Sequence, residues 1–310
     1  MRGTDQPVGG EAVKEVYEIA DLADRTLLDA GADRPARLAV IGQPIAHSAS
    51  PRMHQAALDT DGIAVRYIRI EVPPGRVGEA LERMRDLGFI GCNVTVPHKL
   101  EVMDACDEVD PAARALGAVN TVRFDPDATL GFNTDGPGFV AAVRETLGLE
   151  LRGLRVAILG AGGGAGRALA AQCVLSGVER LLLVNRTVSK LHDLEKHLGA
   201  LGDGCDLRLM DFSDPDLAES CRDCGLIVNA SSVGLKAVDP ALLPDGCFTP
   251  GQGVYDCIYQ PPVTPLLAAA AACGCRVANG RSMLIHQGAL AYRMWFPGGD
   301  PLATMAAALG

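Results

Sequence analysis

The stretch Val156-Ala-Ile-Leu-Gly-Ala-Gly-Gly-Gly-Ala-Gly166 joins an apolar run to a glycine-rich turn. A helical pattern follows over 167–176, and a second apolar run occupies 181–184. Strand, glycine turn, helix and strand in this order are typical of a dinucleotide-binding βαβ unit, in which the glycines let the backbone approach a pyrophosphate at the helix N-terminus. The stretch therefore predicts a Rossmann-type unit. Its predicted phosphate-binding residues are Gly160, Ala161, Gly162, Gly163, Gly164 and Ala165.

The residues after the second run indicate which dinucleotide binds. Many such folds carry an acidic residue here, which accepts from a ribose 2′-hydroxyl but repels a 2′-phosphate. This chain has Asn185-Arg186-Thr187 instead, with Lys190 close behind. Two cations attract a phosphate, so the sequence predicts NADP as the cofactor, bound by these four residues. A purely structural glycine turn is the alternative, and the strand–turn–helix context argues against it.

Composition and charge narrow the class of protein. The chain has 310 residues, of which 48% are hydrophobic, enough for about two domains with substantial cores. Its net charge of −10 argues against a nucleic-acid surface but not against small anionic ligands held in a cleft. There is neither an apolar run near 18 residues nor a secretory pattern, so we expect no membrane contact and a cytoplasmic location. The ten cysteines are scattered, which favours reduced thiols and no metal site.

Strand and helix patterns alternate through the whole chain. The first half shows strands at 38–41, 66–72 and 90–95 and a hairpin at 121–129. The second half shows strands at 156–159, 181–184, 207–210, 226–229, 253–255 and near Val277. This alternation predicts an α/β fold: an N-terminal α/β substrate domain, and a Rossmann-type NADP-binding domain with a cleft between them. We expect a substrate-binding and catalytic domain at 38–135 and 281–310, an NADP-binding domain at 136–280 and an N-terminal extension at 1–37, disordered over 1–10.

Three polar clusters follow predicted strands of the first half, where open α/β sheets bind ligands. The first contains Ser48 and Ser50, which offer donors to a carboxylate, although Ser50 before Pro51 is also a good helix N-cap. The second runs from Asn93 to Lys99. The third combines 120–121 with 133–136 and includes Asp135. A lysine and a carboxylate brought together fix each other's protonation state and can move a proton, whereas an ordinary surface lysine is the alternative for Lys99.

Together with the glycine turn, these clusters resemble the shikimate dehydrogenase family over about residues 38–295. The HSxSP signature of the family stands at 47–51, NVTxPxK at 93–99, GAVNT at 117–121, NTDxxG at 133–138 and NRTxxK at 185–190. Segments 229–234, 255–259 and 283–287 match in the same order. The agreement of so many motifs in sequence order makes the resemblance specific.

The resemblance implies a role for each matched residue. The substrate carboxylate would contact Ser48 and Ser50, with Tyr259 close by, and Gly280 would approach the nicotinamide amide through its backbone. Lys99 and Asp135 would form the catalytic pair. The ring hydroxyls would be bound by Asn93, Thr95, Asn120, Asp135 and Gln287. The implied reaction is the NADP-dependent, reversible reduction of 3-dehydroshikimate to shikimate, a step of chorismate and aromatic amino acid biosynthesis.

Some features depart from the family pattern or leave alternatives open. The glycine turn has one residue more than the commoner GAGGAxR form, Gln55 replaces a frequent Asn, and Ser282 replaces a frequent Gly. A quinate or dual quinate/shikimate dehydrogenase using NAD is the nearest rival, and the missing acidic residue near Arg186 and the serine at position 50 argue against it. A non-catalytic ligand-binding regulator on the same fold, or an enzyme for an aminoshikimate-type substrate, are further alternatives. We expect a monomer or homodimer.

Overall fold

Two β-sheets with helices on their faces organise the chain. The computed structural model describes residues 13–202, 204–236 and 238–310, so the predicted disorder of residues 1–10 lies outside the described residues. The predicted α/β fold is confirmed.

The first sheet has seven strands in the order β1-β3-β2-β4-β6-β7-β5. Strands β1 to β4 run parallel, whereas the β6–β7 hairpin pairs antiparallel with β4. The three predicted strands and the hairpin are confirmed, and the two-residue strands β1 and β5 were not predicted. The strand bounds are Tyr17–Glu18 (β1), Ala36–Gly42 (β2), Arg66–Glu71 (β3), Gly91–Val94 (β4), Glu108–Val109 (β5), Thr121–Phe124 (β6) and Thr129–Phe132 (β7).

Short helices connect these strands. Their bounds are Arg25–Asp29 (α1), Ser50–Thr60 (α2), Val77–Asp86 (α3), Glu101–Ala105 (α4) and Pro111–Leu116 (α5). The expectation that Ser50 caps α2 is wrong, because the helix already begins at Ser50 and Ala49 occupies the cap position without a side-chain hydrogen bond. The Ser48 hydroxyl instead accepts from the Ser50 backbone N–H at 3.3 Å. The Ser50 hydroxyl is therefore left for another partner.

The second sheet contains six parallel strands in the order β10-β9-β8-β11-β12-β13. All six strands predicted for the second half are confirmed. The strand order reverses between β8 and β11, which in open parallel sheets creates a ligand crevice at the carboxyl ends of the strands. The strands span Arg155–Leu159 (β8), Arg180–Val184 (β9), Asp206–Met210 (β10), Leu226–Asn229 (β11), Gly253–Asp256 (β12) and Arg276–Asn279 (β13).

Helices cover both faces of the second sheet, and two long helices join it to the first. The bounds of the flanking helices are Gly164–Leu175 (α7), His192–Leu201 (α8), Leu217–Arg222 (α9) and Pro265–Ala272 (α10). The connecting helices are Asp135–Leu147 (α6) and Arg281–Trp295 (α11), and Leu302–Leu309 (α12) closes the chain. Helices α6 and α11 cross at Gly138, where a Cβ would lie 2.9 Å from the Gln287 backbone nitrogen. This close approach brings Gln287 beside the start of α6.

The ends of the chain pack on the first sheet. Tyr17 and Leu28, from the predicted N-terminal extension, are buried in the same core as Ile70 of β3. At the other end, Tyr292 and Met305 are buried in a core that also contains α2 residues. In the part of the chain that the structure describes, no helix is long and apolar enough to cross a membrane.

Candidate active site

A cavity of about 270 Å³ is lined by residues of the first sheet and its loops, of the loops that follow β12 and β13, and of helices α6, α7 and α11. Its apolar wall includes Val40, Val94, Met283 and Leu284. The cavity brings together every residue for which the sequence predicted a substrate-side role: Ser48, Ser50, Asn93, Thr95, Lys99, Asn120, Asp135, Tyr259 and Gln287. Two residues with a predicted cofactor role, Ala165 and Gly280, also line it.

Lys99 and Asp135 form an ion pair at the centre of this polar set. Lys99 Nζ donates to Asp135 Oδ2 at 2.6 Å, and the side chains are 13% and 9% exposed. Asp135 is the first residue of α6, and the Asn133 side chain fixes that helix start by accepting from the Gly136 N–H at 3.2 Å. An ammonium has three N–H groups, so Lys99 can hold Asp135 and still donate to a ligand in the cavity. The pair has the geometry that a proton-transfer site requires.

Two asparagine amides are held in fixed orientations near this pair. Asn120 Oδ1 accepts from the Thr134 N–H at 2.7 Å, while Asn120 Nδ2 donates to Thr134 Oγ1 at 3.0 Å. Asn93 Nδ2 donates to Thr121 Oγ1 at 3.2 Å, and Asn93 Oδ1 accepts from the Tyr67 hydroxyl at 2.6 Å. Amides constrained in this way present defined donors and acceptors to a ligand with several hydroxyls.

The loop between β2 and α2 carries the serine pair. Ser48 and Ser50 both line the cavity, and Ser50 is buried. The backbone carbonyl of Ser48 accepts from Arg69 Nη2 at 2.8 Å and from Arg69 Nε at 3.2 Å. A guanidinium on the carbonyl and two hydroxyls in the cavity make this end of the site suitable for an anionic group.

The opposite wall comes from the loops that follow β12 and β13. Buried Asp256 accepts from Thr264 Oγ1 at 2.6 Å and from Asn229 Nδ2 at 3.0 Å, although burial raises the pKa of Asp256. These bonds fix the loop that carries Tyr259. A Cβ on Gly280 would lie 2.0 Å from the Cys257 carbonyl oxygen, so only glycine fits there. The structure thus explains why a glycine is needed at this wall of the cavity.

The glycine turn lies at the carboxyl end of β8. Gly160 adopts a φ of +80°, which favours glycine, and a Cβ on Gly166 would come within 2.5 Å of the Gly160 carbonyl oxygen. Gly166 therefore permits the close helix–turn packing that the third glycine of a G-x-G-x-x-G turn provides. It stands one position later than in that pattern, so the extra residue lies within 161–165. Beside Gly164, by contrast, a Cβ would meet nothing within 4 Å.

The residues predicted to select NADP stand beside this turn. A Cβ on Gly162 would approach Asn185 Nδ2 to 2.9 Å, and the same amide donates to the Thr187 carbonyl at 2.9 Å. Arg186, Thr187 and Lys190 are exposed at the carboxyl end of β9. Tight glycine packing next to exposed cations fits a dinucleotide that carries an additional phosphate.

Sequence reasoning did not single out Tyr67, Arg69 or Asp256, each of which contacts a residue or loop of the cavity. Asp256 alone carried a local signal, a carboxylate ending an apolar strand within a segment that matches the family. Among the residues that the structure describes, no group of three or more His, Cys, Asp or Glu side chains is arranged to hold a metal ion.

Comparisons with known proteins point to one enzyme family. A family model described as the shikimate dehydrogenase substrate binding domain matches residues 40–122. The chain is 39% identical over 268 residues to "Shikimate dehydrogenase (NADP(+))" of Methanopyrus kandleri, covering 86% of this chain and 92% of that protein. It is 41% identical over 259 residues to the protein of the same name from Geobacillus kaustophilus, covering 83% and 91%.

A solved structure extends the similarity to three dimensions. Shikimate 5-dehydrogenase from Thermus thermophilus, in complex with NADP(H) and shikimate, superposes with a TM-score of 0.74 at 36% identity and covers 88% of this chain and 98% of that one. Identity at this level over most of both chains establishes common descent as well as a common fold. The chain belongs to the shikimate dehydrogenase family.

Proposed function

We propose that the chain catalyses the NADP-dependent, reversible reduction of 3-dehydroshikimate to shikimate, a step of chorismate and aromatic amino acid biosynthesis. The observation that carries this proposal is the Lys99–Asp135 ion pair, 2.6 Å long, inside a cavity whose other polar groups suit a carboxylate and several hydroxyls. The relatives named as NADP-dependent shikimate dehydrogenases support both the substrate and the cofactor.

The cofactor is held by the glycine turn and by the segment after β9. Backbone N–H groups of 160–165 at the start of α7 bind the pyrophosphate, and Arg186 and Lys190 bind the 2′-phosphate, with Asn185 and Thr187 beside them. Gly280 lets the backbone approach the nicotinamide amide. NADPH, when bound, supplies the hydride that reduces the substrate carbonyl.

The substrate is oriented from two ends. Ser48 and Ser50 hold its carboxylate, with Tyr259 on the facing wall. The ring hydroxyls are bound by side chains on the remaining walls: Asn93, Thr95, Asn120, Asp135 and Gln287. Contacts of this kind fix the ring so that its carbonyl carbon faces the cofactor and its carbonyl oxygen faces Lys99.

Lys99 and Asp135 carry the proton chemistry. Negative charge builds on the carbonyl oxygen during reduction, and the Lys99 ammonium stabilises that charge and donates the proton. In the reverse direction the amine takes the proton back from the substrate hydroxyl. Asp135 holds Lys99 in place and accepts a hydrogen bond from the adjacent substrate hydroxyl. Both residues are mostly buried, which strengthens their electrostatic effect on the reacting oxygen.

The proposed domain division follows the two sheets, except that β1 and the first residues of β2 come from the N-terminal extension. Residues 38–135 and 281–310 form the substrate-binding and catalytic domain, 136–280 form the NADP-binding domain, and 1–37 form the N-terminal extension. Packing of Tyr292 and Met305 in a core shared with α2 supports assigning the C-terminal helices to the first domain.

The decisive experiment measures reduction of NADP and of NAD by the purified chain, with shikimate and with quinate in parallel. We expect the highest kcat/KM for the pair shikimate and NADP. Dominant activity with quinate and NAD would instead identify a quinate dehydrogenase. No turnover in any combination, with binding retained, would identify a ligand-binding protein and refute the proposed activity.

A further inference from the structure

Two side chains of β3, Tyr67 and Arg69, lie directly behind the cavity. We propose that they are positioning residues for the substrate: Tyr67 fixes the amide of Asn93, and Arg69 fixes the loop that carries Ser48. The proposal rests on the proposed function, because it concerns how the same site recognises a hydroxyl and the carboxylate of its substrate. Strand β3 would thereby control two ends of a site that it does not itself line.

The register of the sheet directs these side chains toward the cavity. Val40 of β2 is aligned with Arg69 on one side and with Asn93 on the other, so the three residues form one row across β3, β2 and β4. Aligned residues of parallel strands point to the same face. Val40 and Asn93 line the cavity, so Arg69 points to that face of the sheet. Tyr67 lies two residues earlier and therefore shares the face.

The surroundings of Tyr67 keep its hydroxyl in a single hydrogen bond, the one to Asn93. Its hydroxyl donates to Asn93 Oδ1 at 2.6 Å, and the residue is only 4% exposed. Its ring stacks on that of His54, with centroids 4.5 Å apart and planes 3° apart, and His54 itself is fully buried. Burial keeps the pKa of Tyr67 well above its usual value, so the phenol stays a donor. The bond occupies the Asn93 oxygen, which turns the Asn93 NH₂ group toward Thr121 and the ligand side.

Arg69 holds the loop that bears the serine pair. Both Nε and Nη2 donate to the carbonyl of Ser48, at 3.2 and 2.8 Å. Two bonds from one planar group restrict the loop more than a single bond would, and the Ser48 hydroxyl in turn accepts from the Ser50 N–H. The guanidinium also places a positive charge behind the residues proposed to bind the carboxylate. Arg69 therefore acts through Ser48 and through its electrostatic field.

The test compares Tyr67→Phe and Arg69→Gln with matched variants of the same sheet. Tyr17→Phe also removes a buried hydroxyl, one that donates to the Leu28 carbonyl at 3.0 Å away from the cavity. Arg37→Gln also removes an arginine that holds loop carbonyls, those of Leu87 and Gly88 at 2.8 and 3.0 Å. Each full-length variant is assayed for KM and kcat with shikimate and NADP, and for its Kd for shikimate by calorimetry.

We expect KM and Kd for shikimate to rise about 3- to 10-fold in Tyr67→Phe and about 10- to 100-fold in Arg69→Gln, the factors typical of a neutral and of a charged hydrogen bond. The KM for NADP should stay within about twofold, because the two side chains hydrogen-bond to Asn93 and Ser48 on the substrate side of the cavity. Arg69→Lys keeps the positive charge but cannot donate from two nitrogens to the Ser48 carbonyl. It should recover part of the affinity for shikimate that Arg69→Gln loses. The methyl ester of shikimate should lose less affinity in Arg69→Gln than shikimate does, since it lacks the anionic carboxylate.

The outcomes separate this inference from the proposed function. Unchanged shikimate KM and Kd in Tyr67→Phe and Arg69→Gln would overturn the inference, and so would equal losses in the matched variants. A parent chain that binds shikimate without turning it over would contradict the proposed activity, and the Kd values would still decide whether Tyr67 and Arg69 position the ligand.

Discussion

Lys99 Nζ lies 2.6 Å from Asp135 Oδ2, and this bond joins the loop that follows β4 to the first residue of α6. Replacing Lys99 by alanine removes the group proposed to stabilise the charge on the carbonyl oxygen and to transfer the proton. We expect kcat with shikimate to fall by about 10²–10⁴, the usual contribution of a positioned acid–base group. Steady-state assays with a shikimate titration measure it.

The shikimate Kd of Lys99→Ala provides the control, because a folded variant with an intact cavity should still bind the ring through its other contacts. Near-normal turnover in Lys99→Ala would show that another group carries the proton and that the assignment of Lys99 is wrong.

Cofactor choice should depend on Arg186. The side chain is exposed beside the glycine turn, where a 2′-phosphate is proposed to bind. Replacing it by serine removes a charge-assisted hydrogen bond, so we expect the KM for NADP to rise about 10- to 100-fold while the KM for NAD changes little. Lys196→Ser, which removes an exposed cation from the nearby helix α8, is the matched control and should leave both values unchanged. Equal effects on NADP and NAD would argue against a 2′-phosphate contact.

The glycine turn offers a pair of substitutions only two residues apart. A methyl group at position 166 would come within 2.5 Å of the Gly160 carbonyl oxygen, whereas at position 164 it would meet nothing within 4 Å. Gly166→Ala should therefore destabilise the turn by about 1–3 kcal/mol, as overpacking usually does, and raise the KM for NADP. Gly164→Ala should leave the free energy of unfolding nearly unchanged. If the two variants lose equal stability in urea unfolding, the close packing at Gly166 is not what stabilises the turn.

The second sheet was predictable because its strands carry a strong local pattern. Strand β9, for example, has four consecutive buried apolar residues at 181–184, as expected for a parallel strand covered on both faces. Strands β1 and β5 escaped prediction because two residues cannot display an alternating pattern, and both form only by pairing with an existing strand. At Ser50 a local pattern was present but gave the wrong result. The capping preference of serine predicted a helix that starts after Ser50, whereas α2 begins at Ser50 itself.

The site was predictable where its residues stand in motifs that end strands, as Lys99 and Asp135 do. Tyr67 and Arg69 stand in no such motif, because from the sequence alone they are ordinary residues of an alternating strand. Their positions behind Asn93 and Ser48 follow from the pairing of β3 with β2 and of β2 with β4, a long-range register that no local pattern reveals.

Stability should depend on pH through His54. This side chain is fully buried, and burial lowers its pKa to about 3, below the ordinary value near 6.5. Below about pH 6.5 the His54 imidazole is therefore protonated in the unfolded chain but stays neutral in the folded chain. The free energy of unfolding consequently falls as the pH drops toward 3. One such group costs about 1.4 kcal/mol per pH unit, or about 2 kcal/mol between pH 6.5 and 5.

Urea unfolding at pH 7 and pH 5 measures this effect, and His54→Leu removes the titrating group. The loss of stability between the two pH values should be smaller in His54→Leu by about 2 kcal/mol, whatever the variant's absolute stability. His192→Gln is the matched control, because His192 is an exposed histidine. If the free energy of unfolding of the parent and of His54→Leu depended on pH in the same way, His54 would already take up its proton in the folded state. That would require water or a polar partner next to the His54 ring, where it stacks on Tyr67.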